Sequence, residues 1–369
     1  MSDSQTDPQV LTDAQIPSRE DCLRILAALP SLPLEARAEV VERLVRNPSP
    51  DVRDWALQIG AAVFSDRRLT ELLREDGDAV LRNAGSEIFL LRGSRSLPAV
   101  LPLLQDPDPD VVLQAVLILD RLRDPRALEP LCDTLGHPDP NVQQEVILAI
   151  GRLGDGRSVP RLLPFLEGDL WLQMAAIQAL GDLRAAEGIE PLAALLRTDL
   201  IGPLAAESLA RIGGQAAFTV LSSHWDNSTE TDEEGGEELM VGLLAHVLEG
   251  LAEPPRGEAF SRERFHARLL GHLRSADGSA AVSALRSAAA RCLLCLGPGP
   301  WDAEALAVLA ASQPASDFAP ESLRLRPDLL GTLLRGGETE RSWGALLAAR
   351  FPDRELASPP GETEAEENP

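Results

Sequence analysis

The sequence predicts an all-α chain, an α-solenoid of stacked antiparallel helix pairs that winds as a superhelix. Three observations predict it. An apolar pattern recurs about every 30 residues, the spacing inside each copy is helical, and no stretch alternates in the manner of a β-strand. Stacked units of this kind bury a continuous core by contact with their neighbours and leave an extended surface rather than a catalytic pocket.

Four consecutive copies carry the pattern. Val80, Val111, Val142 and Leu172 open a segment, and Ala84, Ala115, Val146 and Ala176 follow. Ile88, Leu119, Ile150 and Leu180 come next, then Leu91, Leu122, Leu153 and Leu183. A second apolar set runs from Leu97, Leu128, Val159 and Ile189 to Leu104, Leu135, Leu166 and Leu196. Val111, Ala115, Leu119 and Leu122 form one stripe of a helix, and Leu128, Leu131 and Leu135 form a shorter second one. Ser49-Pro50, Asp108-Pro109 and Asp139-Pro140 each put a capping oxygen before a proline at the first helical position. There the missing N–H costs nothing, and a carboxylate meets the positive end of the helix dipole.

The segments DPDPDVVLQAVLILDRLRDPRALEPLCDTL and DPNVQQEVILAIGRLGDGRSVPRLLPFL resemble the short HEAT-like repeats first recognised in phycobilisome bilin lyases. The resemblance covers roughly 48–220. It implies the fold and not lyase chemistry, because one repeat class serves many unrelated binding proteins.

In order, residues 1–18 read as a disordered lead and 19–221 as the array, capped by helices at about 19–29 and 34–46. Residues 222–236 read as an acidic flexible loop. Divergent helical repeats with a cap occupy 237–351, near 237–252, 261–274, 279–297, 302–312, 320–335 and 339–350. A disordered acidic tail fills 352–369.

Net charge is −24, which argues against nucleic acid, since neutralising phosphates needs a basic face. The chain has neither lysine nor tyrosine, so lysine nucleophiles and Schiff bases are excluded. An all-arginine basic set fits a GC-rich bacterial genome. No apolar run is long enough to span a bilayer, the start lacks the marks of a secretory signal, and four cysteines fit a reducing compartment. The expectation is a cytoplasmic protein.

Candidate chemistry is sparse. Cys292 and Cys295 form a C-x-x-C without further ligands at metal spacing, and they read as small helix residues flanking the buried stripe. HEAT-like deoxyhypusine hydroxylases bind iron through repeated His-Glu dipeptides, and His137, His224, His246, His266 and His272 form none. His137 stands in the linker place that Asp106 takes one copy earlier. Asp124 and Asp155, with Arg126 and Arg157 and with Arg95 one copy before, recur at one turn and read as a ladder between neighbouring units. No cofactor and no metal are expected.

Two features stand out as partner-binding candidates. Leu170 and Trp171 replace Pro140 and Asn141 at a helix start, so Trp171 is either a gap filler or an aromatic anchor. Arg262, Arg264 and Arg268, with Arg256, His266, His272 and Arg274, concentrate positive charge. They form a solvated face, pair with the acidic residues 226–238, or receive an acidic partner. The reading is a non-catalytic scaffold or adaptor in a bacterial signalling or assembly complex, binding a protein or peptide on the face of the second helices. The alternative is a bilin-lyase-like or tetrapyrrole-handling accessory subunit.

Overall fold

The computed structural model describes residues 29, 32–75, 77–228, 236–251, 255, 262–275, 280–312, 323 and 326–350. The expected lead, the expected helix at 19–29 apart from Leu29, the tail and residues 229–235 of the expected acidic loop lie outside them. Among the described residues every regular element is helical, as the fold class required. The chain divides into two compact units, Met1–Ala179 and Leu180–Pro369.

The first unit begins with α1 (Leu34–Leu44), α2 (Pro50–Val63) and α3 (Asp66–Leu73). Then first helices of the repeats, α4 (Ala79–Arg92), α6 (Pro109–Leu122), α8 (Pro140–Leu153) and α10 (Leu170–Asp182), alternate with shorter second ones. The last residues of α10 belong to the second unit. The second helices α5 (Leu97–Val100), α7 (Leu128–Thr134) and α9 (Val159–Leu162) are short for a local reason. Pro102 and Pro164 cannot donate to the preceding turn, so α5 and α9 tighten into 3-10 turns at Leu101–Gln105 and Leu163–Leu166.

The helix starts are built alike. Asp108 and Asp139 each accept a hydrogen bond from the N–H two residues on, at 2.9 and 2.8 Å. Ser49 differs from expectation, for its side chain makes no capping bond. The turn is fastened one step earlier, where Asn47 Oδ1 accepts from the Ser49 N–H at 2.9 Å. Asp106 Oδ1 and His137 Nδ1 accept from the N–H groups of Asp108 and Asp139 in the same way, both at 3.1 Å. His137 is thus a turn residue equivalent to Asp106.

Val111, Ala115, Leu119, Val142, Val146 and Ile150 are buried as the stripe requires. In α4 the stripe holds at Ala84 and Ile88 and fails at its two ends. Val80 is 46% exposed and Leu91 51%, while Leu81, Ile88 and Phe89 are buried. The link Gly93–Ser96 after α4 is a 3-10 turn. Successive helices also approach closely, and a Cβ on Gly151 would lie 2.6 Å from the Ala179 Cα.

Ion pairs link the copies, by other residues than expected. Arg126 and Arg157 close on Asp124 and Asp155 inside their own turns, at 2.8 and 2.7 Å. The ladder between copies includes Arg46–Asp78 at 2.6 Å, Arg74–Asp106, Arg121–Glu87 at 2.6 Å, Arg152–Asp120 at 3.2 Å and Arg161–Glu129 at 3.0 Å. Ser94 Oγ, donating to Asp124 Oδ2 at 2.6 Å, and Arg123, donating to the Arg152 carbonyl, carry the turn across to neighbours.

The second unit contains α11 (Ile189–Leu195), α12 (Gly202–Ile212), α13 (Gly214–Asn227), α14 (Gly236–Gly250), α15 (Arg262–Leu273), α16 (Ala280–Leu296), α17 (Asp302–Ser312), α18 (Leu330–Arg335) and α19 (Glu338–Arg350). Gly213 and Gly214, at φ of 71° and 80°, turn the chain sharply between α12 and α13. Helix α13 runs to Asn227, so the start of the stretch expected to be an acidic loop is helical. Ser222 and Trp225 are buried in it. Cys292 and Cys295 are wholly buried, deeper than a flanking position implies. Burial pushes the Cys292 thiol well above its ordinary value.

Candidate functional site

Trp171 occupies the second position of α10. Asp169 Oδ1 accepts from the Trp171 and Leu172 N–H groups at 2.9 and 3.3 Å, so the helix start is capped without help from the indole. The side chain is not filling a gap, because Trp171 is 65% exposed and Leu170 39%. The equivalent positions in α6 and α8 hold Asp110 and Asn141, both exposed. An indole left in water at a place where sibling copies put polar groups is available to bury against something else.

The arginine cluster is arranged otherwise. Arg262 opens α15, and Arg264 reaches Asp226 at 3.6 Å with its side chain 65% exposed. Arg268 is engaged within the chain. It pairs with Glu237 at 2.6 Å, donates to the Trp225 carbonyl at 2.5 Å, and lies 4.3 Å from the Trp225 ring centroid. His272 Nε2 meets the same Glu237 at 2.9 Å. Burial raises the Glu237 carboxyl, but the Arg268 hydrogen bond and the His272 and Arg268 charges outweigh it and hold the group below its ordinary value. The expected pairing of this helix with acidic residues of 226–238 is therefore present at Asp226 and Glu237. Arg256 lies outside the described residues.

Beside this cluster the second unit holds a cavity of about 630 Å³, lined among others by Leu196, Pro203, Ala206, Trp225, Met240 and Arg268. Trp225 was missed as a structural centre because it sits in a run rich in serine and acid. A signal was present: Phe218, Leu221, Ser222 and Trp225 recur at helical spacing, and all are buried. The structure brings Leu170 and Trp171 together on α10, and Arg264 and Arg268 together on α15. Among the described residues no group of three His, Cys, Asp or Glu side chains is placed to hold a metal ion.

A family model described as HEAT repeats matches residues 65–137 and 128–202. The curated proteins offered no match. Among solved structures the chain is similar to importin beta crystallised in a polyethylene glycol condition, with a TM-score of 0.46 and 16% identity. That match covers 90% of this chain and 52% of the other, so the chain spans about half of importin beta. It is similar to human deoxyhypusine hydroxylase in complex with glycerol, with a TM-score of 0.30, 14% identity and coverage of 82% and 100%. It is also similar to an engineered protein, with a TM-score of 0.24, 18% identity and coverage of 75% and 96%. These likenesses are of fold and have no bearing on activity.

Proposed function

Residues 65–202 are HEAT-like repeats, and from that premise we propose that the chain is a non-catalytic scaffold that binds another protein or peptide. The observation that carries the reading is Trp171, two-thirds exposed at a capped helix start where sibling copies are polar. The proposed contact moves from the face of the second helices to the edge formed by the starts of the first ones, because the exposed anchor lies there. Arg268 is less suited to receive a partner, since Glu237 and the Trp225 ring already hold it. Among the described residues Cys132, Cys292 and Cys295 form no disulfide, and we assign the chain to the reducing cytoplasm, in a bacterial signalling or assembly complex.

The test is affinity capture from the native cell with the wild-type chain and Trp171→Ala, followed by titration of the captured partner. Truncation should remove about 2 kcal/mol of binding, roughly thirtyfold in affinity, and leave the unfolding midpoint nearly unchanged. A lowered midpoint with unchanged affinity would refute the anchor and return Trp171 to a packing role.

A further inference from the structure

The chemistry around Trp171 specifies a kind of partner. In the first unit the first helices of successive copies lie side by side in the same direction, as the links Arg46–Asp78 and Arg152–Asp120 at their two ends show. Their N-terminal turns therefore share one edge, which carries Arg46 in its first copies and Arg74 paired with Asp106. From Asp108 to Trp171 it is acidic: residues 108–110, 136–141 and 167–171 read DPD, GHPDPN and EGDLW, without an arginine. Arg121, Arg123, Arg126, Arg152 and Arg157 stand at the other ends of these helices.

Capping explains part of this polarity, since Asp108, Asp139 and Asp169 satisfy N–H groups at helix starts. Asp110, in the first turn of α6, also meets the helix dipole, and Glu167 lies exposed two residues before Asp169. Capping and the dipole do not explain Leu170 and Trp171, because both are exposed beside those carboxylates. A row of carboxylates ending in an open indole face matches a cation with an apolar neighbour. The charges attract a guanidinium or ammonium, and the ring quadrupole offers it a second partner.

We propose that this edge, from Asp110 to Trp171, docks a basic segment of a partner protein that carries apolar residues among its arginines or lysines. The proposal rests on the scaffold reading and deepens it by stating the partner's chemistry. Acidic segments are repelled by the edge, and purely apolar ones leave its carboxylates without counter-charge.

A fluorescent short peptide alternating arginine with leucine is the probe, at physiological ionic strength. Its two comparators replace arginine with glutamate or leucine with glycine. The arginine–leucine peptide should bind best. Trp171→Ala should weaken it roughly tenfold or more, with Trp171→Phe recovering part of the loss. Asp110→Asn with Glu167→Gln should weaken it several-fold and flatten its salt dependence. Glu190→Gln with Glu207→Gln, an equal loss of charge at exposed positions of the other unit, should leave it unchanged. Binding that ignores Trp171, equal loss in the control pair, or preference for the glutamate peptide would each overturn the proposal. A partner captured through Trp171 by an acidic or neutral segment would sink this inference and leave the scaffold reading intact.

Discussion

The helices from Pro109 to Leu166 and those from Gly214 to Arg335 are held by different chemistry. In the first region the buried stripe of the first helices repeats from copy to copy. Val111, Ala115 and Leu119 of α6 answer to Val142, Val146 and Ile150 of α8. The second region relies on large side chains that occur once. Trp225 meets Phe265 edge-on at 5.1 Å between centroids, Phe218 meets the same ring at 6.2 Å, and Arg268 covers the indole. Near α17, Arg326 is 1% exposed and binds Asp302 at 2.7 Å, Asp328 at 2.9 Å and the Gly297 carbonyl at 3.1 Å. Repetition spreads stability in equal increments, whereas the irregular region concentrates it in a few residues.

Arg326→Ala is the sharpest way to break that comparison. Removing a buried partner leaves the Asp302 carboxylate and the Gly297 carbonyl short of a donor, at a cost of about 4 kcal/mol. Urea unfolding followed by circular dichroism reads this directly. A cost below that of a single aliphatic truncation in α6 would show that the second region is as evenly held as the first.

Leu119→Ala should cost about 3 kcal/mol, and Ile150→Ala about the same, because the two residues occupy equivalent, fully buried places. In hydrogen exchange the loss of protection for Leu119→Ala should appear first in α6 and in its neighbours α4 and α8. Protection lost uniformly, out to α1, would contradict distributed stability.

The same contrast explains what could be read from the sequence. The helix pairs of 79–196, the capping aspartates and the turn role of His137 were legible, because each repeats and a repeat averages out local noise. Val80 and Leu91 misled, since both lie in the end turns of α4, where the stripe leaves the core. The arginine ladder was assigned to Arg126 and Arg157 because they recur, but a bond within a turn recurs as faithfully as one between copies. Trp225, Glu237 and Arg268 have no counterpart elsewhere in the chain, and their meeting depends on contacts distant in sequence. Trp171 was legible as an irregularity. Its exposure required coordinates.

The smallest effect tests whether the copies are equivalent down to the backbone. Just past the first helix, Arg123, Gly154 and Arg184 all adopt the left-handed conformation, with φ of 52°, 82° and 49°. Glycine takes this conformation without strain, whereas a side chain raises its energy by about 1–2 kcal/mol. Arg123 has compensation, for its guanidinium donates to the Arg152 carbonyl of the next copy. Arg184 is exposed, and its contribution is charge near the negative end of α10. Arg184→Gly should therefore stabilise the chain by about 0.5 kcal/mol, the relief of strain exceeding the lost dipole interaction and the added unfolded-state entropy. Arg123→Gly should gain less or lose, because it also removes the bond to the next copy. Urea midpoints for the two variants, measured beside Gly154→Ala as the opposite change, decide the point. A destabilised Arg184→Gly would mean that the arginine side chain contributes more at this turn than the strain it imposes.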